Sequence, residues 1–377
     1  GGPWRQNRLS PNALTLDYAQ FSKDGGRTWS VSEPVLAFSD RAAQSQPYNG
    51  PLLVRYPFRA EALPRNCSLV LEQPEMYASI RVNGRELRFG QGEETPGKNT
   101  GTTSKKTPGD VSDGEPAGFY LDRAFRTAEI TPLLKKGDNE IVLALDFRSA
   151  VPSSYDADER YGTEIESVYL TGDFAVRGKE VAPPLADSWR NRSPYLQRTA
   201  PVNRLTGFVL TDEPAQVEGD MTLQGYPFFA GSMTLEKEFD LERTDSAARY
   251  FLTFPACEAT VIGINVNGTD LSPLFASPWE ADVTPWLRPG SNKICLTLTN
   301  TLRNLLGPHH HKGGEFTEVR PVTFRAGEDV SNTMTGEPVG ERDWYDARLK
   351  GRAALWRDAY HIIPSGLLAA PEIRRER

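Results

Sequence analysis

The sequence predicts an all-β chain folded as two tandem β-sandwiches of jelly-roll type, on three observations. The same order of elements occurs twice, apolar residues alternate with period two, and no long stretch carries the 3.6-residue period of a helix. Short strands separated by Gly, Pro and Asn turns build sandwiches rather than βα units, so no (β/α)₈ barrel is expected. A length of 377 residues allows two or three domains, and a twofold repeat selects two.

In chain order, residues 1–40 are expected to be an N-terminal hairpin segment packing on the first sandwich. Leu14, Leu16, Tyr18 and Phe21 precede a Lys23-Asp24-Gly25-Gly26 turn, and Trp29 follows it. The first sandwich, 41–180, opens at Tyr48-Asn49-Gly50 with the alternating run Leu52, Val54, Tyr56, Phe58. The second, 206–335, opens at Phe229-Ala230-Gly231 with Met233, Leu235 and Phe239. Each copy then has a strand ending in Asn-Gly, at Asn83-Gly84 and Asn267-Gly268, the dipeptide that supplies the positive φ angles of a tight hairpin.

A third element is the strongest match: Ile130-Thr131-Pro132 through Gly137-Asp138-Asn139-Glu140-Ile141, answered by Val283-Thr284-Pro285 through Gly290-Ser291-Asn292-Lys293-Ile294. The strands behind these turns face inward with Ile141, Leu143, Leu145 and Phe147, or Ile294, Leu296 and Leu298. The Asn-Gly turns stand 184 residues apart (83 and 267) and the Thr-Pro turns 153 apart (131 and 284), so the first copy carries 31 extra residues. The insertion shows as a composition shift over 90–118, rich in Gly, Thr, Lys and Pro and too poor in apolar residues to order itself; a mobile surface loop or a glycan-contacting lid would both fit. Ile165, Val168, Leu170 and Phe174 are expected in the closing strands of the first sandwich. A linker spans 181–205, and the tail 336–377 returns to a sheet through Tyr360, Ile362 and Ile363, with 374–377 frayed.

Composition excludes several classes. A net charge of -7 without a basic stripe disfavours nucleic acid, and no apolar run approaches the ~20 residues of a membrane span. Cys67, Cys257 and Cys295 form neither a disulfide framework nor a zinc pattern, although a Cys257–Cys295 bridge stays open. Cys295 lies between Ile294 and Leu296, on the opposite strand face from the core. The opening Gly1-Gly2-Pro3-Trp4 reads as no signal peptide, which suits a fragment; the compartment stays open, an extracellular or periplasmic one being compatible.

Four stretches carry a resemblance: Asn12–Tyr18, Ile165–Phe174, Gly225–Gly231 and Asn300–His310. They look like the C-terminal region of large bacterial α-L-rhamnosidase-type glycoside hydrolases, and the similarity runs nearly end to end. Both copies also resemble the galactose-binding-like, sugar-binding jelly-roll domain that precedes the barrel in β-galactosidase-like enzymes. In the enzymes resembled, the acid and base carboxylates reside on a barrel N-terminal to this region. The resemblance therefore implies a non-catalytic, carbohydrate-binding or scaffold region, whose partners are a saccharide and a catalytic barrel of the same parent protein. Two alternatives remain: a self-sufficient glycosidase with its site between the sandwiches, and a structural adhesion-type module.

Sugar recognition needs flat aromatic faces ringed by planar polar groups. Tyr226, Phe229 and Trp279 in the second copy are the candidate platforms, with Tyr120 and Phe125 in the first, each having a place in the core as its plainer alternative. Arg303, Asn304, His309 and His310 are candidates for a polar surface that contacts sugar or docks a barrel. His309-His310-His311 has the residue type for a metal, but successive extended residues point to opposite faces; no metal and no cofactor is expected. Glycoside hydrolysis would need two carboxylates about 5–10 Å apart. Asp156, Asp158, Glu159, Glu164 and Glu166 cluster in sequence, in the manner of a solvated loop. Ser22–Trp29 matches a sialidase Asp-box, yet a single copy reads as a structural hairpin. Asn66, Asn191 and Asn267 begin Asn-X-Ser/Thr triplets, of which Asn267 is needed for its turn.

Overall fold

A computed structural model describes residues 2–44, 46–90, 118–151, 153–156, 159–160, 162–181, 203–307, 309–310 and 358–376. Nearly all of the expected insertion and linker, together with Asp158, Asn191 and His311, lies outside the described residues. The chain divides into two units. The first unit is Leu16–Phe58 with Asn66–Thr171, and the second is Gly1–Thr15, Arg59–Arg65 and Gly172–Arg377.

The strands in chain order begin with β1 (Trp4–Arg8), β2 (Asn12–Leu16), β3 (Tyr18–Ser22), β4 (Glu33–Pro34) and β5 (Asn49–Ala60). Next come β6 (Cys67–Glu72), β7 (Ser79–Val82), β8 (Arg85–Glu86), β9 (Phe119–Tyr120), β10 (Asp122–Glu129), β11 (Gly137–Arg148), β12 (Val168–Gly172) and β13 (Ala175–Glu180). The remainder are β14 (Asn203–Thr211), β15 (Gln216–Val217), β16 (Ser232–Leu241), β17 (Arg249–Thr253), β18 (Val261–Val266), β19 (Thr269–Leu274), β20 (Glu280–Asp282), β21 (Gly290–Thr299), β22 (Tyr360–Ile362) and β23 (Glu372–Glu376). Helices α1 (Val35–Gln44) and α2 (Arg303–Leu306) are short, so the fold is all-β. No helix of the described residues is long and apolar enough to cross a membrane.

In the first unit one sheet runs β3-β5-β11-β7-β8 and another β12-β6-β10-β9. The period-two pattern is realised in β5 and β11, where Leu52, Val54, Tyr56, Ile141, Leu143 and Phe147 are buried while their neighbours alternate outward. Tyr56 is wholly buried, and its hydroxyl donates to the Glu166 carbonyl just ahead of β12 at 2.7 Å, spending a polar tip that would otherwise be costly inside.

The second unit has a six-stranded sheet β15-β1-β16-β21-β18-β19 and a three-stranded sheet β20-β17-β23. They share one core: Met233, Leu235, Ile262, Ile264, Ile294, Leu296 and Leu298 from the larger sheet, Tyr250 and Leu252 from the smaller. A further group pairs β14 with β13 and with β22.

The twofold repeat is written into the hydrogen bonds. Asn83 and Asn267 sit at φ 50° and 51°, each followed by a glycine at positive φ. Asn83 Nδ2 donates to Leu133 O and to Asn139 Oδ1, both at 2.8 Å; Asn267 Nδ2 donates to Trp286 O at 2.8 Å and Asn292 Oδ1 at 2.9 Å. Asn139 and Asn292, both buried, donate in turn to the backbone of the loop before their strand, at Lys135 and Gly137 or Arg288 and Gly290. The Asn-Gly hairpin is thus locked to the Thr-Pro turn in each copy. It also occupies the Asn267 amide nitrogen, the atom a glycan would need.

The Thr-Pro turns repeat as well: Thr131 Oγ1 accepts from Cys67 N, and Thr284 Oγ1 from Tyr250 N. Asp282 caps the second turn. The Thr284 hydroxyl donates to it at 2.6 Å, Arg249 at 2.7 Å and the Thr284 amide at 3.0 Å, and these hold its carboxyl down at about 2, against an ordinary 3.8. A depressed carboxylate contributes stability that is complete above its unfolded pKa and is lost as pH falls through the folded one. Urea midpoints are therefore expected to drop between about pH 4 and pH 2, and Asp282→Asn to flatten that stretch. An unchanged slope in the variant would refute the assignment.

Four expectations are corrected, and one open alternative, the disulfide, is closed. The N-terminal segment does not pack as one piece on the first sandwich: β1 pairs with β15 and β16, because Trp4 is carried into the second unit's core beside Val217. β13 pairs with β14 in the second unit rather than closing the first sandwich. A helix, α1, stands where only hairpin was expected; Val35, Phe38 and Ala42 form its buried stripe. The terminal residues are strand β23, held by Ile373 on the core and by ion pairs of Arg374 with Glu280 and Arg375 with Asp245. Cys67, Cys257 and Cys295 are all free thiols, so no Cys257–Cys295 bridge forms; burial pushes the Cys257 thiol up to about 12.

Candidate functional site

An open concavity lies in the first unit, between the turn after β3, strand β4 and helix α1. It encloses about 250 Å³, room for roughly eight waters or one small ring. Its shape begins with the Asp24 turn. Asp24 Oδ1 accepts from Ser22 Oγ at 2.7 Å and from Thr28 N at 2.9 Å, and Thr28 Oγ1 donates to Oδ2 at 2.6 Å. These bonds, the Thr28 hydroxyl first, keep its carboxyl well below the usual carboxylate range. Gly25 and Gly26 supply positive φ, and Trp29 lies under the Arg55 guanidinium at 4.1 Å. The Asp-box is therefore a self-satisfied hairpin that aims Lys23, Thr28 and Ser30 at the pocket.

Helix α1 supplies the opposite wall. Phe38 stacks on Phe21 at 4.2 Å and meets Phe147 edge-on at 5.3 Å, which fixes an aromatic floor. One turn later Arg41 takes both oxygens of Glu33, at 2.5 and 2.6 Å, so that pair is charge-neutral. Lys23 Nζ sits 4.4 Å over the Tyr48 ring and 5.4 Å from that of Phe38. The pocket thus combines two phenyl rings, one neutralised ion pair, a lysine, and the polar side chains of Thr28, Ser30 and Gln46. Sequence reading missed it because its wall is α1. The i, i+3, i+7 spacing of Val35, Phe38 and Ala42 was the available signal, in a segment of only ten residues.

The expected platforms fare differently. Tyr226 and Phe229 are each 1% exposed and belong to the second unit's core, so neither offers a face to a sugar; this corrects their assignment. Trp279 is half-buried against the same core. Asn304, His309 and His310 do come together, but inward. Asn304 exchanges two bonds with the Ile363 backbone at 2.7 and 2.9 Å, His309 Nε2 contacts the Asn304 carbonyl at 2.9 Å, and the His310 ring lies 4.4 Å from that of Tyr360. All three residues are at most 6% exposed. They fasten the tail carrying β22 to α2, rather than forming an open polar surface. Arg303, also on α2, is partly exposed. Tyr120 and Phe125 are half-buried, Phe125 edge-on to Tyr169 at 5.9 Å.

Of the described acidic candidates, Asp156, Glu164 and Glu166 are loop residues and Glu159 stands in a helical turn. Asp156 Oδ1 accepts from the Glu159 amide, Ser154 Oγ donates to Glu159, and Asp156, Glu159, Glu164 and Glu166 are all exposed. A carboxylate pair sharing one guanidinium was not foreseen: Asp173 and Glu213 both accept from Arg8, a side chain 9% exposed that also donates to the Ser10 carbonyl. With one guanidinium tying both, this is a clamp between chain segments of the second unit.

No protein-family model matches the chain, and no curated protein matches it. Solved structures similar to it include a β-D-mannosidase from Dictyoglomus thermophilum, at 14% identity and TM-score 0.27 over 76% of this chain and 31% of that one. A rhamnosidase from Novosphingobium sp. PP1Y is similar at 14% identity and TM-score 0.26 over 87% and 23%. A GH2 β-galacturonidase from Eisenbergiella tayi follows at 11% and 0.26 over 78% and 37%. These neighbours are glycoside hydrolases, and the chain spans well under half the length of each.

Proposed function

We propose that the chain is a non-catalytic, carbohydrate-binding region of a larger α-L-rhamnosidase-like glycoside hydrolase, and that it holds a saccharide in the pocket between β3, β4 and α1. The observation that carries this reading is the pocket's composition. Phe21 and Phe38, buried and stacked on each other, make its apolar floor, and Thr28, Ser30, Gln46 and the Arg41–Glu33 pair surround it with groups that bond hydroxyls. Its mechanism is positioning: the saccharide is retained near a barrel elsewhere in the parent protein, and no bond is made or broken here.

Two measurements test it together. Titration with a panel of mono- and disaccharides, followed by NMR shifts, is expected to move resonances of Phe21, Phe38 and Thr28. Aryl glycosides, α-L-rhamnosides and β-galactosides among them, are expected to show no turnover by this chain. Turnover abolished by one acidic substitution would overturn the reading in favour of a self-sufficient glycosidase.

A further inference from the structure

The pocket carries an uncompensated charge. Arg41 and Glu33 cancel each other, and Asp24 is consumed by its own turn. Asp146, near enough to Tyr48 to raise its phenol after burial has done so, forms no ion pair with Lys23. Lys23 is left as the pocket cation without a carboxylate partner among the described residues. Its ammonium is nevertheless held in place by the faces of Tyr48 and Phe38, at 4.4 and 5.4 Å. A lysine resting on aromatic faces and without an ion pair among the described residues is placed to meet an anion from outside.

The chemistry of that anion follows from the donors. One ammonium is a compact single charge, matched to one monoanionic group; a phosphate dianion calls for more cations or a forked guanidinium, and the fork of Arg41 is already taken by Glu33. The remaining lining suits a ring bearing hydroxyls. We infer that the ligand is an acidic saccharide, a sugar ring whose single carboxylate or sulfate ester pairs with Lys23 while its hydroxyls meet Thr28, Ser30 and Gln46. This rests on the carbohydrate-binding reading above and narrows it to a substrate class.

Calorimetric titration of the whole chain with matched methyl glycosides tests it: glucoside and galactoside, their uronates, and their 6-sulfates. At least one acidic series is expected to bind about ten-fold or more tightly than its neutral parent, the size of one charge-assisted hydrogen bond. That preference should shrink at high salt. Lys23→Gln is expected to abolish it, so that within the variant acidic and neutral sugars bind alike; Lys23 is exposed, so the variant should fold, as circular dichroism would check. Whether uronates or sulfates show the preference identifies the anion. Equal binding of acidic and neutral sugars, unchanged in Lys23→Gln, would overturn this inference and leave carbohydrate binding standing. Binding of no saccharide at all would overturn both.

Discussion

Asn292→Ala is expected to destabilise the protein by about 3 kcal/mol, because it removes four hydrogen bonds of one buried side chain at once. The Asn292 side chain donates to Arg288 O and Gly290 O at 2.8 and 2.9 Å and accepts from Arg288 N and Asn267 Nδ2 at 3.1 and 2.9 Å. The side chain is 1% exposed. Each hydrogen bond lost costs roughly 0.5–1.5 kcal/mol, and hydration and relaxation of the exposed loop would recover part of the sum. At about 2–4 °C per kcal/mol, calorimetry should record a fall near 6–12 °C. Asn139→Ala in the first unit removes the same set of bonds and should cost a similar amount. A loss below 1 kcal/mol in both would show that the paired asparagines do not hold the repeat together.

Phe229→Ala is expected to cost about 3–5 kcal/mol, the range for emptying a phenyl site in a packed core. The ring is 1% exposed, lies 6.0 Å from that of Tyr226 in an edge-on pair, and shares a core with Met233 and Leu298. Tyr226→Phe makes a useful contrast: it keeps the ring and removes only a hydroxyl 3.4 Å from Glu213, so a loss under about 1 kcal/mol is expected. Denaturant unfolding distinguishes the two roles for Phe229. A sugar platform would be replaced with little change in midpoint, whereas a core residue shifts it strongly.

Particular residues show how far each property was legible. The Asn-Gly hairpins and Thr-Pro turns could be placed from sequence because their cause is local: positive φ at Asn83 and Asn267, and a Pro that opens a 3-10 turn after Ile130 and Val283. Alternation in β5, β11 and β21 was legible for the same reason, since a buried strand face writes itself into every second residue. The candidate site was hardly legible. Tyr226 and Phe229 are aromatics beside a turn, and nothing in their neighbours says whether they face the core or the solvent. The histidines at 309 and 310 read as surface polarity, and their burial depends on Tyr360, about 50 residues away.

By itself, then, the sequence determined the β class, the duplication, the turns that bound each copy and the inward faces of the long strands, all of which are set by contacts a few residues apart. Tertiary structure alone decided which unit takes the N-terminal strand, where β22 and β23 return, and that α1 closes over the Asp24 turn to make a pocket with Lys23 at its wall. Those outcomes depend on which distant surfaces bury the most apolar area together, as Trp4 does with Val217 and Phe38 with Phe21 and Phe147, and no local pattern encodes that choice.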